Sequence, residues 1–246
     1  MNKIYITGDC HGNFNKIFDF CEQNETTTDD IMIIAGDAGI NYFLDCRDVL
    51  IKRSLAKLPI TLLILHGNHE ERAWNVDGYK HDTYKVGNNY ITAWAEKEYP
   101  NLLFLGDFWS QFLNNKRYLF LGGAYSIDKE FRLMRGYGWF PSEQISQNDM
   151  KIALLSIKCD RYTFNYSVGR EYQYDYIISH TCPLKYEPTE MFLPNIDQSK
   201  VDKRTEEFLN KVEEIAVYNK WICAHFHCDQ TVDRIRFIYN DIIELE

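Results

Sequence analysis

Apolar positions along this chain gather in short unbroken runs, each cut off by a polar turn. Ile4-Tyr5-Ile6, Ile31-Met32-Ile33-Ile34 and Ile60-Thr61-Leu62-Leu63-Ile64 are too short for helices and partly β-branched, and a glycine follows each closely. They predict three buried strands. Between the first two, Phe14, Ile17, Phe18 and Cys21 recur at helical spacing, with Asn13 placed to cap them. Residues 45–58 carry Val49, Leu50, Ser54 and Leu58 in a similar pattern and stop at Pro59. Strand and helix thus alternate, which predicts parallel neighbours joined by right-handed crossovers. In such sheets ligands collect beyond the carboxyl ends of the strands.

Further along, the pattern loosens. Residues 71–100 are mixed and polar, with Asp77-Gly78 and Gly87-Asn88-Asn89 as turn signals, and are expected to be loops and short helix over the strand ends. Apolar runs at 102–105, 109–113 and 118–123, with Asn114-Asn115 between the last two, predict a hairpin in a second sheet. The stretch 128–141 sets Lys129, Arg132 and Arg135 among Phe131, Tyr137, Trp139 and Phe140. It is expected to be a solvated loop with anchoring aromatics, and the sharper alternative is a substrate-facing arm. A helix is predicted over 142–157, then an irregular tyrosine-rich stretch, then a strand over 174–179. Phe208, Val212, Ile215 and Ala216 predict a helix over 201–218. A strand at 221–224 and closing strands at 231–236 and 237–245 complete the chain, with no internal repeat.

Composition narrows the class without naming a function. At 246 residues, 45% hydrophobic and 26% charged, one domain over 1–246 is the simplest expectation. The 17 Tyr and 15 Phe are expected mostly in the core. A net charge of −9 argues against a partner held through phosphate counterion release, so long nucleic acid is not expected. The seven cysteines show no C-x-x-C pair or regular spacing and read as reduced thiols. No apolar run reaches the roughly 18 residues of a membrane span, and Asp9 arrives too early for a cleavable signal to precede it. A cytoplasmic protein with no membrane partner is expected.

The chemistry sits where the strands stop. Gly8-Asp9-Cys10-His11, Gly36-Asp37, Gly67-Asn68-His69-Glu70, His180 and His225-Phe226-His227 each follow an apolar run, and they hold five of the seven histidines. Asp9 and His11 are two apart, as are His225 and His227, so in extended backbone each pair would point to one face. Leaving His69 aside, Asp9, His11, Asp37, Asn68, His180, His225 and His227 would supply two divalent sites sharing one bridging carboxylate. Imidazole, carboxylate and amide oxygen together suit Mn, Fe, Zn or Ni, manganese favoured, better than Mg or Ca. His66 and His81 are expected to be structural.

In order along the chain these motifs resemble the calcineurin-like metallophosphoesterase superfamily. Its pattern of Asp-x-His, Gly-Asp, Gly-Asn-His-Glu/Asp, a single His, and Gly-His-x-His stands here as Asp9-Cys10-His11, Gly36-Asp37, Gly67-Asn68-His69-Glu70, His180, and Ala224-His225-Phe226-His227. The resemblance implies an α/β fold, a four-layer α-β-β-α sandwich of two mixed sheets flanked by helices. It implies one ion on Asp9, His11 and His227, a second on Asn68, His180 and His225, and Asp37 between them. The implied reaction is hydrolysis of a phosphomonoester or phosphodiester by in-line attack of a metal-bridging hydroxide, with His69 protonating the leaving group. Lys129, Arg132 and Arg135 are the candidate substrate contacts.

Three alternatives are weighed against it. A Ser/Thr-type protein phosphatase would carry Asp and Arg where Ile40 and Asn41 stand. His227-Cys228 and Arg234 fit the spacing of a cysteine-dependent phosphatase, but the loop between them has no glycine and two acids that would repel a phosphate. A non-catalytic binding module would be expected to have lost donors, and none is lost.

Overall fold

A computed structural model describes residues 2–165, 171–194 and 196–246; part of the tyrosine-rich stretch lies outside them. The first third alternates as anticipated: β1 (Ile4–Thr7), α1 (Asn15–Asn24), β2 (Ile31–Ile34), α2 (Cys46–Leu55) and β3 (Thr61–Ile64). Then come β4 (Tyr79–Val86), β5 (Asn89–Glu96), β6 (Leu102–Phe104), β7 (Phe108–Leu113) and β8 (Lys116–Leu121). The chain continues through α3 (Lys129–Arg135), α4 (Gln147–Asn165), β9 (Tyr174–Ser179), α5 (Arg204–Ile215) and β10 (Tyr218–Cys223). It closes with β11 (Gln230–Val232), β12 (Ile235–Phe237) and β13 (Ile242–Glu244).

Among the described residues the strands form two mixed sheets, ordered β13-β1-β2-β3-β6-β5-β4 and β11-β12-β10-β9-β8-β7. Alternate side chains of one strand enter different layers. Ile4, Ile6, Ile33 and Leu63 meet Phe120, Tyr176, Ile178 and Ile222 between the sheets. Tyr5, Met32, Ile34 and Leu62 face outward onto Ile17, Cys21 and Leu55 of α1 and α2. On the far side Ile177, Trp221 and Cys223 pack on Ala153 and Ile157 of α4 and on Phe208 and Val212 of α5. Both faces of each central strand are therefore buried, which is why the strands read as continuous apolar runs. This is the expected four-layer sandwich. Truncating one of these isoleucines to alanine would cost about 2–5 kcal/mol.

Several elements differ from expectation, each for a physical reason. Residues 71–100 hold a long hairpin, β4 paired antiparallel with β5, at the edge of the first sheet. Nearly every side chain of β4 is at least partly exposed, so its solvated edge reads as loop. In α2 the buried residues are Asp48, Lys52 and Leu55, while Leu50 is exposed. Two charged residues are taken inward because each has partners: Asp48 accepts from the amides of Phe43 and Leu44, and Lys52 pairs with Glu96.

Residues 128–141 hold α3 rather than a loop. The helix predicted from 142 starts at Gln147, where Ser146 Oγ accepts from Asp149 N, and runs to Asn165. α5 starts after Asp202, whose Oδ1 accepts from Arg204 N, and ends at Ile215, freeing Tyr218 to begin β10. The closing runs divide elsewhere too. β11 and β12 pair with each other, whereas β13 crosses to the first sheet and pairs with β1. The crossing is pinned by Asp229, which accepts from the amides of Tyr239, Asn240 and Asp241.

Candidate metal centre

β1, β2 and β3 run parallel, as do β8, β9 and β10, so their carboxyl ends open on one side of the sandwich. The turns that follow them are hydrogen-bonded to one another. Cys10 N and His11 N both bond Asp37 O, and Ala224 N bonds His180 O. The seven donors and His69 consequently converge. Among the described residues His69 and all of the donors but Asn68 form three overlapping clusters of donor atoms, each within 4.8 Å: Asp9, His11 and His227; His11, Asp37 and His69; Asp37, His180 and His225; Asn68 joins them through its Oδ1, 3.0 Å from His180 Nε2.

The extended-backbone expectation for the Asp9/His11 and His225/His227 pairs does not hold. His11, Asp37, His225 and His227 have φ of 47°, 48°, 68° and 50°, the left-handed region. Non-glycine residues enter it at a cost, and such strain concentrates at functional sites. Its effect here is to send His225 and His227 to different clusters. Two glycines are required for the same convergence. A Cβ on Gly67 would stand 2.0 Å from Asp37 Oδ1, and one on Gly36 would stand 2.1 Å from His180 Nδ1.

Asp37 lies at the middle. Its Oδ1 accepts from His69 N at 2.8 Å and stands 3.6 Å from His180 Nε2, while Oδ2 stands 4.0 Å from His11 Nδ1 and 3.9 Å from His69 Nε2. His180 is fully buried, with Nδ1 2.9 Å from Ala35 O and Nε2 3.0 Å from Asn68 Oδ1. Asn68 is oriented in turn by Ser126 Oγ, which accepts from its Nδ2 at 2.9 Å, and Ser126 N bonds Glu143 Oε2. On the other side His227 Nε2 is 2.9 Å from both Asp9 Oδ2 and His11 Nε2. Asp9 Oδ2 is buried and has no well-aligned hydrogen bond despite that proximity. Lone pairs of nitrogen and oxygen face each other across a small gap. Such a set fits divalent cations, each taking imidazole and carboxylate together.

The titration behaviour agrees. Burial would raise both acids, yet the neighbouring His11 and His227 imidazoles hold Asp9 below the ordinary carboxylate range, and the His180 charge does the same for Asp37. Burial works against charge on His180, but Asp37 and Asp9 raise it to about 9. Burial takes His225 down to about 3, which keeps its lone pair free. Protons and cations therefore compete for one set of donors.

Around the cluster stand groups of a different kind. Glu70 is fully buried and ties two turns together, accepting from Gly67 N and Gly39 N at 3.1 and 3.0 Å; burial and Asp37 raise its carboxyl to about 7. Arg72, also fully buried, bonds Gly67 O, Glu143 O and Asp107. Arg132 reaches His69 from α3, its Nη2 2.6 Å from Nδ1, while Asp128 and Gly138 O hold the rest of its guanidinium. Burial and Arg132 together keep the His69 pKa below its ordinary value, although Asp37 opposes them.

Of the three cations singled out in the sequence, only Arg132 comes to the cluster. Lys129 lies over the Trp139 ring and Arg135 over Phe131, and neither lines the adjoining cavity. His66 is buried and accepts from Ala73 N, and His81 packs on Trp94. The cysteine alternative finds no cradle, because Arg234 is turned onto Tyr218 and burial raises the Cys228 thiol. Ile40 is buried and Asn41 is bonded to Tyr79. Arg72, Ser126 and Glu143 went unnoticed in the sequence, where nothing marks them. Their partners lie as far as 71 residues away.

Residues 2–229 match the family model of the calcineurin-like phosphoesterases. No curated protein matches the chain. Among solved structures, an archaeal phosphodiesterase aligns at 12% identity over 96% of this chain and 82% of its own, with a TM-score of 0.37, too distant to bear on function.

Proposed function

The chain belongs to the calcineurin-like phosphoesterase family, and from that premise we propose that it hydrolyses a phosphomonoester or phosphodiester at a two-metal site within one domain over 1–246. The observation that carries the proposal is the place of Asp37, shared by two of the three donor clusters. Asp9, His11 and His227 would hold one ion and Asn68, His180 and His225 the other, with Asp37 between them. The mixed donors favour manganese, iron, zinc or nickel, manganese first. When bound, such ions supply Lewis acidity toward the phosphoryl oxygens and make water a usable nucleophile near neutral pH.

The remaining steps belong to the chain's own side chains. Arg132 stands at His69 and donates to a phosphoryl oxygen, supplying from α3 the cation that position 41 lacks. His69 rests unprotonated, since burial and Arg132 oppose its charge. Negative charge on the bound ester raises its proton affinity, so a proton taken up with substrate is available to the leaving oxygen. Glu70 keeps the turns carrying Asp37 and His69 at a fixed spacing. With Ile40 buried and Asn41 engaged by Tyr79, nothing at those positions favours a protein phosphatase. The seven free cysteines accord with a reducing, cytoplasmic location.

The test is hydrolysis of p-nitrophenyl phosphate and bis-p-nitrophenyl phosphate by metal-stripped protein, before and after Mn²⁺, beside Asp37→Asn. Activity restored by metal and absent from the variant is expected, and the ratio of the two rates separates monoesterase from diesterase. Equal activity without metal would overturn the proposal.

A further inference from the structure

The stretch 128–141 carries Arg132 to His69, yet little of it is packed. α3 has only seven residues, too few to hold a helix by themselves, and its Phe131, Leu133 and Met134 are 47%, 51% and 75% exposed. Within 128–141 only Arg132 and Phe140 are buried. Asp128 and Gly138 O, which hold the Arg132 guanidinium, belong to the same stretch, so they fix it relative to the arm and not to the donor cluster. Among the described residues two side-chain hydrogen bonds tie the arm to the rest of the molecule: Arg132 to His69, and Trp139 Nε1 to Glu143 Oε2 at 2.8 Å.

The oxygen that receives Trp139 also receives Ser126 N, and Ser126 Oγ in turn accepts from Asn68 Nδ2. Glu143 is 2% exposed, and its own carbonyl accepts from Arg72 Nη2 and Ala124 N, so its backbone is held in place. An oxygen buried this way is costly to leave with one donor fewer, so displacement of either donor is opposed. The bonds make a closed circuit. They leave the turn at Asn68, pass through Ser126, Glu143 and Trp139 to the neighbouring Gly138 O and Arg132, and return to the turn at the next residue, His69. We propose that Glu143 is a positioning residue for both sides of the centre: one carboxylate oxygen aims the Asn68 amide at its cation and, by way of Trp139, seats Arg132 at His69. Cation binding at Asn68 and anion binding at Arg132 are then linked, each strengthening the other. The inference rests on the two-metal reading.

The test follows indole N–H signals by NMR while Zn²⁺, a closed-shell ion, is titrated into metal-stripped protein. Each of the five tryptophans gives one signal, and that of Trp139 is identified by its absence from Trp139→Phe. Zinc is expected to move it in the wild type and not in Ser126→Ala, which cuts the circuit at Asn68 and leaves the Trp139 bond intact. Trp139→Phe removes the N–H and keeps a ring. It should weaken the ion of the Asn68 half about tenfold, with no further loss when added to Ser126→Ala. Inorganic phosphate, titrated into zinc-saturated protein, should also bind Trp139→Phe more weakly. Glu143→Gln, which keeps one oxygen to accept both N–H groups, should retain the affinities that Glu143→Ala loses. A role in stability alone would lower the melting temperature and leave zinc and phosphate affinities unchanged. A Trp139 signal unmoved by bound zinc, additive losses in the double variant, or unchanged phosphate affinity in Trp139→Phe would overturn the inference alone. Failure to bind zinc at all would overturn the two-metal reading and the inference with it.

Discussion

The two halves of the centre are built differently. Around Asn68, His180 and Asp37 the donors are almost entirely buried, and each is held from behind: His180 by Ala35 O, Asn68 by Ser126, and Asp37 by His69 N. Around Asp9 the carboxylate is just as buried, but the imidazole side chains of His11 and His227 are 31% and 47% exposed. These rings touch each other, and His227 stacks on Tyr239; among the described residues no hydrogen bond from a carbonyl or a carboxylate outside the cluster braces either ring. A donor braced by a second hydrogen bond loses less freedom on binding a cation and presents one fixed tautomer. The buried half should therefore bind its ion first and hold it longer, and the open half should exchange.

The largest effect is expected at the residue the halves share. Asp37→Asn should reduce esterase activity by more than the ~100-fold that bounds the loss of an orienting partner, and should weaken metal binding in both halves. Loss from one half only, read by metal titration, would break the picture of a shared carboxylate. Next come His180→Ala and His227→Ala. The first should abolish the tighter binding step and the second the weaker one, measured as metal retained after gel filtration; the reverse order would invert the comparison.

Ser126→Ala tests the bracing itself. A loss of about 10- to 100-fold in affinity or activity is expected in the buried half, with the open half untouched. Arg132→Met should raise the His69 pKa, since the guanidinium now lowers it, and a proton titration by NMR would show the shift. Smallest is an effect on the metal-free protein. His180 has its pKa raised to about 9, so its stabilising contribution is complete below about 6.5 and is lost as pH rises from there through 9. The difference in melting temperature between stripped wild type and His180→Gln should narrow over that interval.

What the sequence could reveal follows from the same contrast between local and distant causes. Asp9, Asp37, Asn68 and His180 were legible because each ends an apolar run at a turn, and the strands themselves are local patterns. The orientation of the paired histidines was not legible, because left-handed backbone at His11, His225 and His227 is imposed by the neighbouring turns. Ser126, Glu143 and Arg72 act across 58 to 71 residues, and no spacing marks them. Arg132 was picked out among the cations of 128–141, yet only the turn of α3 separates it from Lys129 and Arg135. The β4 hairpin was missed because an edge strand with exposed Lys80, His81 and Asp82 has no apolar face to read.

The most direct measurement is a Mn²⁺ titration of metal-stripped protein followed by electron paramagnetic resonance. Two ions per chain are expected to bind in sequence, and the second should convert the isolated-ion signal into one from an exchange-coupled pair, with the coupling lost in Asp37→Asn. One ion per chain at saturation, or two that never couple, would contradict a centre organised around a shared Asp37.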